Sequence, residues 1–121
     1  MKQSFRQKTG KQSYLWGIWA EEFAVLLLRI KGYRILGQRI KTPSGEIDIL
    51  AARKNILVVV EVKKRGNDFA AASAIAHSQQ QRLIAAAQHM QQQHRGYEAL
   101  RFDAVLFAPK ALPKHIENAF F

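Results

Sequence analysis

Cysteine is absent from the chain, which excludes disulfides and thiolate metal sites. Histidine is sparse: His77, His89, His94 and His115 lie scattered, without the spacing of a zinc site. No long apolar run exists either. The longest, Phe23 to Leu28, is far too short to span a bilayer. Residues 1–11 are basic and polar, with no apolar stretch of signal-peptide kind behind them. The expectation is a cytoplasmic protein with no membrane partner. Acidic residues are also scarce, nine against nineteen lysines and arginines, for a formal net charge of +10. In a chain of 121 residues that bias suggests a polyanionic partner, most simply nucleic acid, because phosphate neutralisation carries much of such binding. No basic amphipathic helix stands out that would favour an anionic membrane instead.

What is there reads as one domain, residues 13–121, large enough for a core, behind a basic disordered arm, 1–12. The arm carries Lys2, Arg6, Lys8 and Lys11 but too few apolar groups to offset the entropy of ordering. From Ser13 to Lys31, Trp16, Trp19, Phe23, Leu27 and Ile30 recur at three- and four-residue steps, which predicts a helix whose aromatic stripe faces the core. Ser13 suits an N-cap and Gly32 a stop. Glu21 and Glu22 fall on or beside the opposite edge. Strands are predicted at Tyr33–Ile40, Glu46–Ala51 and Ile56–Lys64, the last apolar on both faces as a central strand should be. A helix follows over about Ser78 to Gln93, then a strand from Arg101 to Ala108. The tail HIENAFF is expected to make a final helical turn. No internal repeat and no interdomain linker is visible.

The informative segments are GEIDIL at Gly45–Leu50 and VEVKKR at Val60–Arg65. Strand side chains alternate, so register decides which groups meet. With two loop residues, Lys54 and Asn55, or four, Arg53 to Ile56, Asp48 falls opposite Glu61 and Glu46 opposite Lys63. Ile47 and Ile49 then face Val62 and Val60 on the other side. A three-residue loop would scatter this partition unless a bulge restored it. Opposed carboxylates ~4 Å apart near a surface cost on the order of 4 kcal/mol at an effective dielectric of about 20. A divalent cation turns that liability into a site. Mg2+ or Mn2+ takes carboxylate and carbonyl oxygens, here from Asp48, Glu61 and the carbonyl of Val62. Lys63 could then hold the attacking water or a scissile phosphate. The alternative is ordinary: Glu46 and Lys63 as a cross-strand ion pair.

These motifs resemble the PD-(D/E)XK nuclease superfamily and, more closely, the YraN-like family of predicted bacterial endonucleases, relatives of archaeal Holliday-junction resolvases. The resemblance runs from about Gly17 to the C-terminus. It includes Gly17, Glu21 and Ala24 on the first helix, KGYRIL at Lys31–Leu36, GEIDIL, VEVKKR, RFDAV at Arg101–Val105 and NAF at Asn118–Phe120. It implies an α/β, restriction-endonuclease-like αβββαβ core, a mixed central sheet flanked by helices, and hydrolysis of nucleic-acid phosphodiesters with Mg2+ or Mn2+. Position by position it implies Asp48 and Glu61 as metal ligands, Lys63 as the catalytic lysine and Glu21 completing the metal environment. Glu46 is a motif residue expected to orient Lys63.

Candidate phosphate contacts are Lys64, Arg65, Gln79, Arg82, Arg39 and Lys41. Two of these depart from the family: Arg39 stands where an asparagine is common, and Gln79 where a lysine is common. Val59 replaces an aromatic. Asp103, beside Arg101, is expected to be a buried structural partner rather than a third ligand. The resulting reading is a metal-dependent DNA endonuclease, with branched DNA as a candidate substrate. A binding module of the same fold without turnover and an RNase using the same site remain as alternatives, since no motif reads the sugar. Whether the chain is a homodimer is left open. Relatives that cut symmetric junctions act as dimers, but the sequence shows no interface signature.

Overall fold

A computed structural model describes residues 17–64, 77–108 and 110–119. The basic arm, Ser13, Trp16 and Arg65 lie outside the described residues. In chain order the elements are helix α1 (described over residues 17–30), β1 (Arg34–Thr42), β2 (Gly45–Arg53), β3 (Ile56–Lys64), α2 (His77–Gln93), β4 (Ala99–Phe107) and β5 (Lys114–Ile116). The strands form one sheet in the order β1-β2-β3-β4-β5. The β3–β4 pair is parallel and the other three pairs are antiparallel. The parallel step needs a crossover, and α2 lies within it. This is the expected mixed sheet with helices, extended by one strand.

Local chemistry accounts for the boundaries. Helix α1 stops at Gly32, whose φ of 92° is open to glycine but costly for residues with a Cβ. Tyr33 N donates to Leu28 O at 2.9 Å and Gly32 N to Arg29 O at 3.0 Å, the paired bonds of a Schellman stop. Pro43 and Ser44 form the first hairpin loop. There Thr42 Oγ1 accepts from the amides of Ser44 and Gly45, as a turn hydroxyl does. The second hairpin pairs Arg53 with Ile56, so its loop is Lys54–Asn55. Lys54 has φ 54°, as primed two-residue loops demand at their first position.

Each face of the sheet carries a core. On the α1 side, Ala20, Ala24, Val25 and Leu28 pack with Ile49, Ala51, Val58, Val60 and Val105. On the α2 side, Leu83, Ala86, Ala87 and Met90 pack with Ile47, Leu50, Leu57, Val59 and Phe102. Strand β3 thus feeds both cores, as its double-sided apolar pattern predicts. Each fully buried Val or Leu contributes about 1.5–3 kcal/mol.

The structure overturns three expectations. The tail forms β5 against β4 instead of a helical turn: His115 pairs with Val105 and Ile116 with Ala104. Among the described residues of the stripe expected on α1, only Leu27 packs against the core. Trp19, Phe23 and Ile30 are exposed, whereas the small residues Ala20 and Ala24 and neighbouring Leu28 meet the sheet. Both stripes repeat at helical spacing. The small-residue one lets the helix axis approach the strands more closely. In consequence Glu21, placed at the opposite edge from sequence, is buried on the sheet side. Third, Ile47 and Ile49 do not share a face. Ile47 joins the α2-side core and Ile49 the α1-side core, so strict alternation fails across Asp48.

Candidate active site

That failure of alternation marks where the site begins. The β2–β3 ladder runs from Arg53↔Ile56 to Ile49↔Val60, the register that an even loop imposes. One step further, Asp48 and Glu61 would oppose each other. Instead of a backbone pair, Asp48 Oδ2 accepts the amide of Val62 at 2.8 Å. The carboxylate therefore substitutes for a ladder bond.

Glu61 is buried and engaged from two directions. Lys63 Nζ lies 3.1 Å from its Oε1, and Gln79 Nε2 of α2 donates to the same oxygen at 3.2 Å. Lys63 itself keeps only 14% of its side-chain surface. Its ion pair is with Glu61, whereas Glu46, expected to orient it, is exposed and lines a neighbouring cleft. From the α1 side, Glu21 receives Arg39 Nε at 3.2 Å on both oxygens. Arg39 sits one step along β1, between Gln38↔Ile49 and Ile40↔Ile47, and so opposite Asp48. Its φ is 50°. That left-handed conformation is one asparagine tolerates better than most residues, a physical reason for the asparagine common at this position in the family the motifs resemble.

Burial pushes the Asp48 carboxyl up to about 6, and the charge of Glu61 adds to the rise; the Val62 amide and Lys63 oppose it. Glu21 is raised too, first by burial, against the opposing pull of Arg39 and with a further push from Asp48. A raised carboxyl destabilises the folded state once it ionises. Asp48→Asn is therefore expected to be more stable than wild type at pH 8, by on the order of 2 kcal/mol. The gain shrinks as the pH falls through 6 toward 3.8, because the wild-type group is then neutral in both states. Urea unfolding at the two ends of that range checks this, and equal stability at pH 8 would contradict it.

Beside the carboxylates a cleft of about 150 Å³ opens between the sheet and α2. Gly45, Glu46 and Glu61 line one wall, and Gln79, Arg82, Leu83 and Ala86 the other. The first turn of α2 contains no acidic residue, so its N-terminal dipole is left to favour an anion. Arg82 and Gln79 thus come together with Glu61. Lys41 is exposed and pairs in register with Glu46. The side chain of Lys64, like Arg65, lies outside the described residues. Among the described residues no three carboxylate or histidine side chains gather closely enough to hold one ion. Asp48 and Glu61 form a two-carboxylate nucleus, while Glu21 is held by Arg39. That ion pair was not foreseen, although Arg39 stood out as a departure from an asparagine.

Asp103 is fully buried in β4, and its partners are not those of Asp48 or Glu61. It accepts from Arg101 Nε and Nη2 at 2.8 and 2.7 Å, pairs with His115 Nε2 at 2.8 Å and accepts the Asn118 amide at 3.0 Å. It is a structural partner, as expected from its place beside Arg101.

Residues 20–107 match the sequence profile of the uncharacterised protein family UPF0102. A UPF0102 protein of Parvibaculum lavamentivorans is 48% identical over 92% of this chain and 85% of its own length. One of Bartonella bacilliformis is 40% identical over 95% and 96%, respectively. Among solved structures, Archaeoglobus fulgidus Hjc, a Holliday junction resolvase from an archaeal hyperthermophile, matches with a TM-score of 0.51 at 18% identity, over 80% of this chain and 72% of Hjc. At that identity the likeness shows the fold, which is restriction-endonuclease-like. No helix among the described residues is long and apolar enough to cross a membrane.

Proposed function

Because the chain belongs to the UPF0102 family and has a resolvase-like fold, we propose that it is a divalent-metal-dependent endonuclease acting on DNA phosphodiesters, with branched DNA the favoured substrate class. One observation carries the reading: two carboxylates, the half-buried Asp48 and the buried Glu61, meet a lysine at the point where the β2–β3 ladder stops. Binding nucleic acid needs cations, not a repulsive acid pair, so the carboxylates call for another role.

The donor set fits a hard cation. Asp48 and Glu61 would hold Mg2+ or Mn2+, with the Val62 carbonyl as a further oxygen and Glu21 behind them. Such an ion eases deprotonation of bound water and offsets charge on phosphoryl oxygens. The residues of the chain do the rest. Lys63, paired with Glu61 at 3.1 Å, would hold the scissile phosphate or the attacking water and offset transition-state charge. Arg82, Gln79 and the α2 N-terminus position a phosphate in the cleft, and Lys41, Lys64 and Arg65 extend the contact along the backbone. No helix-turn-helix is present among the described elements, so recognition rests on backbone and shape rather than base edges.

The test is a panel of labelled linear, flapped, single-stranded and four-way DNA, plus RNA, incubated with Mg2+ or Mn2+. A Lys63→Ala protein purified in parallel serves as the contamination control. Metal-stimulated cleavage of a DNA, absent from the control, is the expected result. Salt-sensitive binding without cleavage of any substrate would reduce the protein to a binding module, and cleavage confined to RNA would make it an RNase.

A further inference from the structure

Among the described residues the reverse face of α1 takes no part in either core. Trp19 is 59% exposed, Phe23 46%, Leu26 53% and Ile30 74%. Their steps of four, three and four residues are those of a coiled-coil seam. Trp19 and Phe23 stack with centroids 5.5 Å apart, which stiffens one end of the stripe. A hollow of about 220 Å³ lies on this face, lined by Trp19, Glu22, Phe23 and Leu26. Residues spaced i, i+3, i+4 and i+7 are the four that form a hole for a knob from a facing helix.

We infer that this face pairs with the same face of a second copy, α1 against α1, antiparallel about a two-fold axis. Charge complementarity selects that occupant. Glu22 and Arg29 flank the seam, both exposed and both without an ion-pair partner among the described residues. A two-fold contact requires that if one residue meets another, the reverse also holds. In the antiparallel arrangement that sets Phe23 beside Leu26 of the other copy, Trp19 layers against Ile30 at both ends. The second copy's Leu26 enters the hollow, and Glu22 faces Arg29 twice over. In a parallel pair Glu22 would face Leu27 and the charges would go unmatched. Glu21, which belongs to the candidate active site, points from the opposite face of the helix, so pairing leaves both sites open. The inference does not depend on the protein being a nuclease.

Sedimentation equilibrium of the full chain between about 1 and 100 µM tests it. Wild type is expected to dimerise, and Leu26→Asp to be monomeric, with a melting temperature that matches the wild type at concentrations low enough for both to be monomeric, since Leu26 touches neither core. Glu22→Arg or Arg29→Glu alone puts like charges together twice and is expected to weaken dimerisation on the order of tenfold. The double reversal is expected to restore it. A wild-type monomer throughout the range would overturn the pairing and assign the stripe to another protein. A Leu26→Asp dimer would place the interface elsewhere. Charge reversals without effect, singly or together, would overturn the antiparallel arrangement.

Discussion

Lys63→Ala is expected to lower metal-stimulated cleavage by about 10³-fold, with little change in fold. Lys63 is nearly buried, and among the described residues its ion pair is with Glu61 at 3.1 Å, the carboxylate proposed to hold the cation. In the free protein the ammonium neutralises Glu61. In the proposed substrate complex it would be the cation available to a phosphoryl oxygen. Removing it therefore costs transition-state stabilisation more than substrate affinity, which rests on many phosphate contacts. The loss should fall on kcat, while the salt dependence of binding loses a slope of only about one ion. Lys63→Arg should rescue poorly, because a planar guanidinium is not a compact point charge. Asp48→Asn and Glu61→Gln should be as inactive as Lys63→Ala, and Asp48→Asn should combine this with its added stability at pH 8. Inactivity together with higher stability is the signature of a group held at a cost for function. Full activity in any of the three would remove that residue from the active site.

Asp103→Ala is expected to be the most destabilising single change outside the apolar core, by about 3–5 kcal/mol. That corresponds to roughly 10–20 °C in melting temperature. Asp103 gathers Arg101 from its own strand, His115 from β5 and the amide of Asn118. Arg101 also donates to the Tyr33 hydroxyl at 2.5 Å, and its guanidinium, like that of Arg53, lies over the Tyr33 ring. Lys31 contacts His115 Nδ1. An ammonium only donates, so Nδ1 accepts and Nε2–H is left to donate to Asp103. Without the carboxylate, a half-buried guanidinium keeps, among the described residues, only the 3.9 Å contact with Glu117 as counter-charge, and β5 loses the side-chain tie that reinforces its ladder with β4.

The pH dependence separates this residue from Asp48. Burial pushes the Asp103 carboxyl up, but hydrogen bonds from His115 and Arg101 outweigh it and leave the group below its ordinary value. Its contribution is thus complete above pH 3.8 and is lost as acid drives the pH below that through the folded-state value. Asp103→Asn should flatten the acid limb of the unfolding profile, whereas Asp48→Asn acts between 3.8 and about 6 with the opposite sign. An Asp103→Ala protein melting within a few degrees of wild type would show the network to be dispensable.

The two acids of the hairpin were legible because register is a local matter. A two-residue loop between β2 and β3 fixes parity within a few residues, and parity alone brings Asp48 toward Glu61. The central position of β3 was legible for a similar reason: a run such as ILVVV has no polar face to show to water. Gly32 was readable as a stop because its backbone conformation is disfavoured for residues with a Cβ. Nothing local, by contrast, distinguishes a stripe of tryptophan, phenylalanine and isoleucine that fills a core from one that meets a partner. Hydrophobicity favours the wrong stripe of α1, since the sheet accepts the alanines for closeness of approach rather than for buried area. Strand β5 was missed because three residues carry too little periodicity, and what holds them is a ladder with β4 and the contact of His115 with Asp103, twelve positions earlier.

By itself, then, the sequence determined the basic charge, the order of the main elements and the pairing parity that sets Asp48 toward Glu61, all consequences of composition or of neighbours a few residues apart. Tertiary structure alone decided which side of α1 is buried. With that it decided that Glu21 turns inward to Arg39, that Lys63 pairs with Glu61 rather than Glu46, and that Gln79 and Arg82 line a cleft beside Glu61. Each of these depends on how closely two surfaces distant in sequence can approach, a matter of shape that no periodicity along the chain encodes.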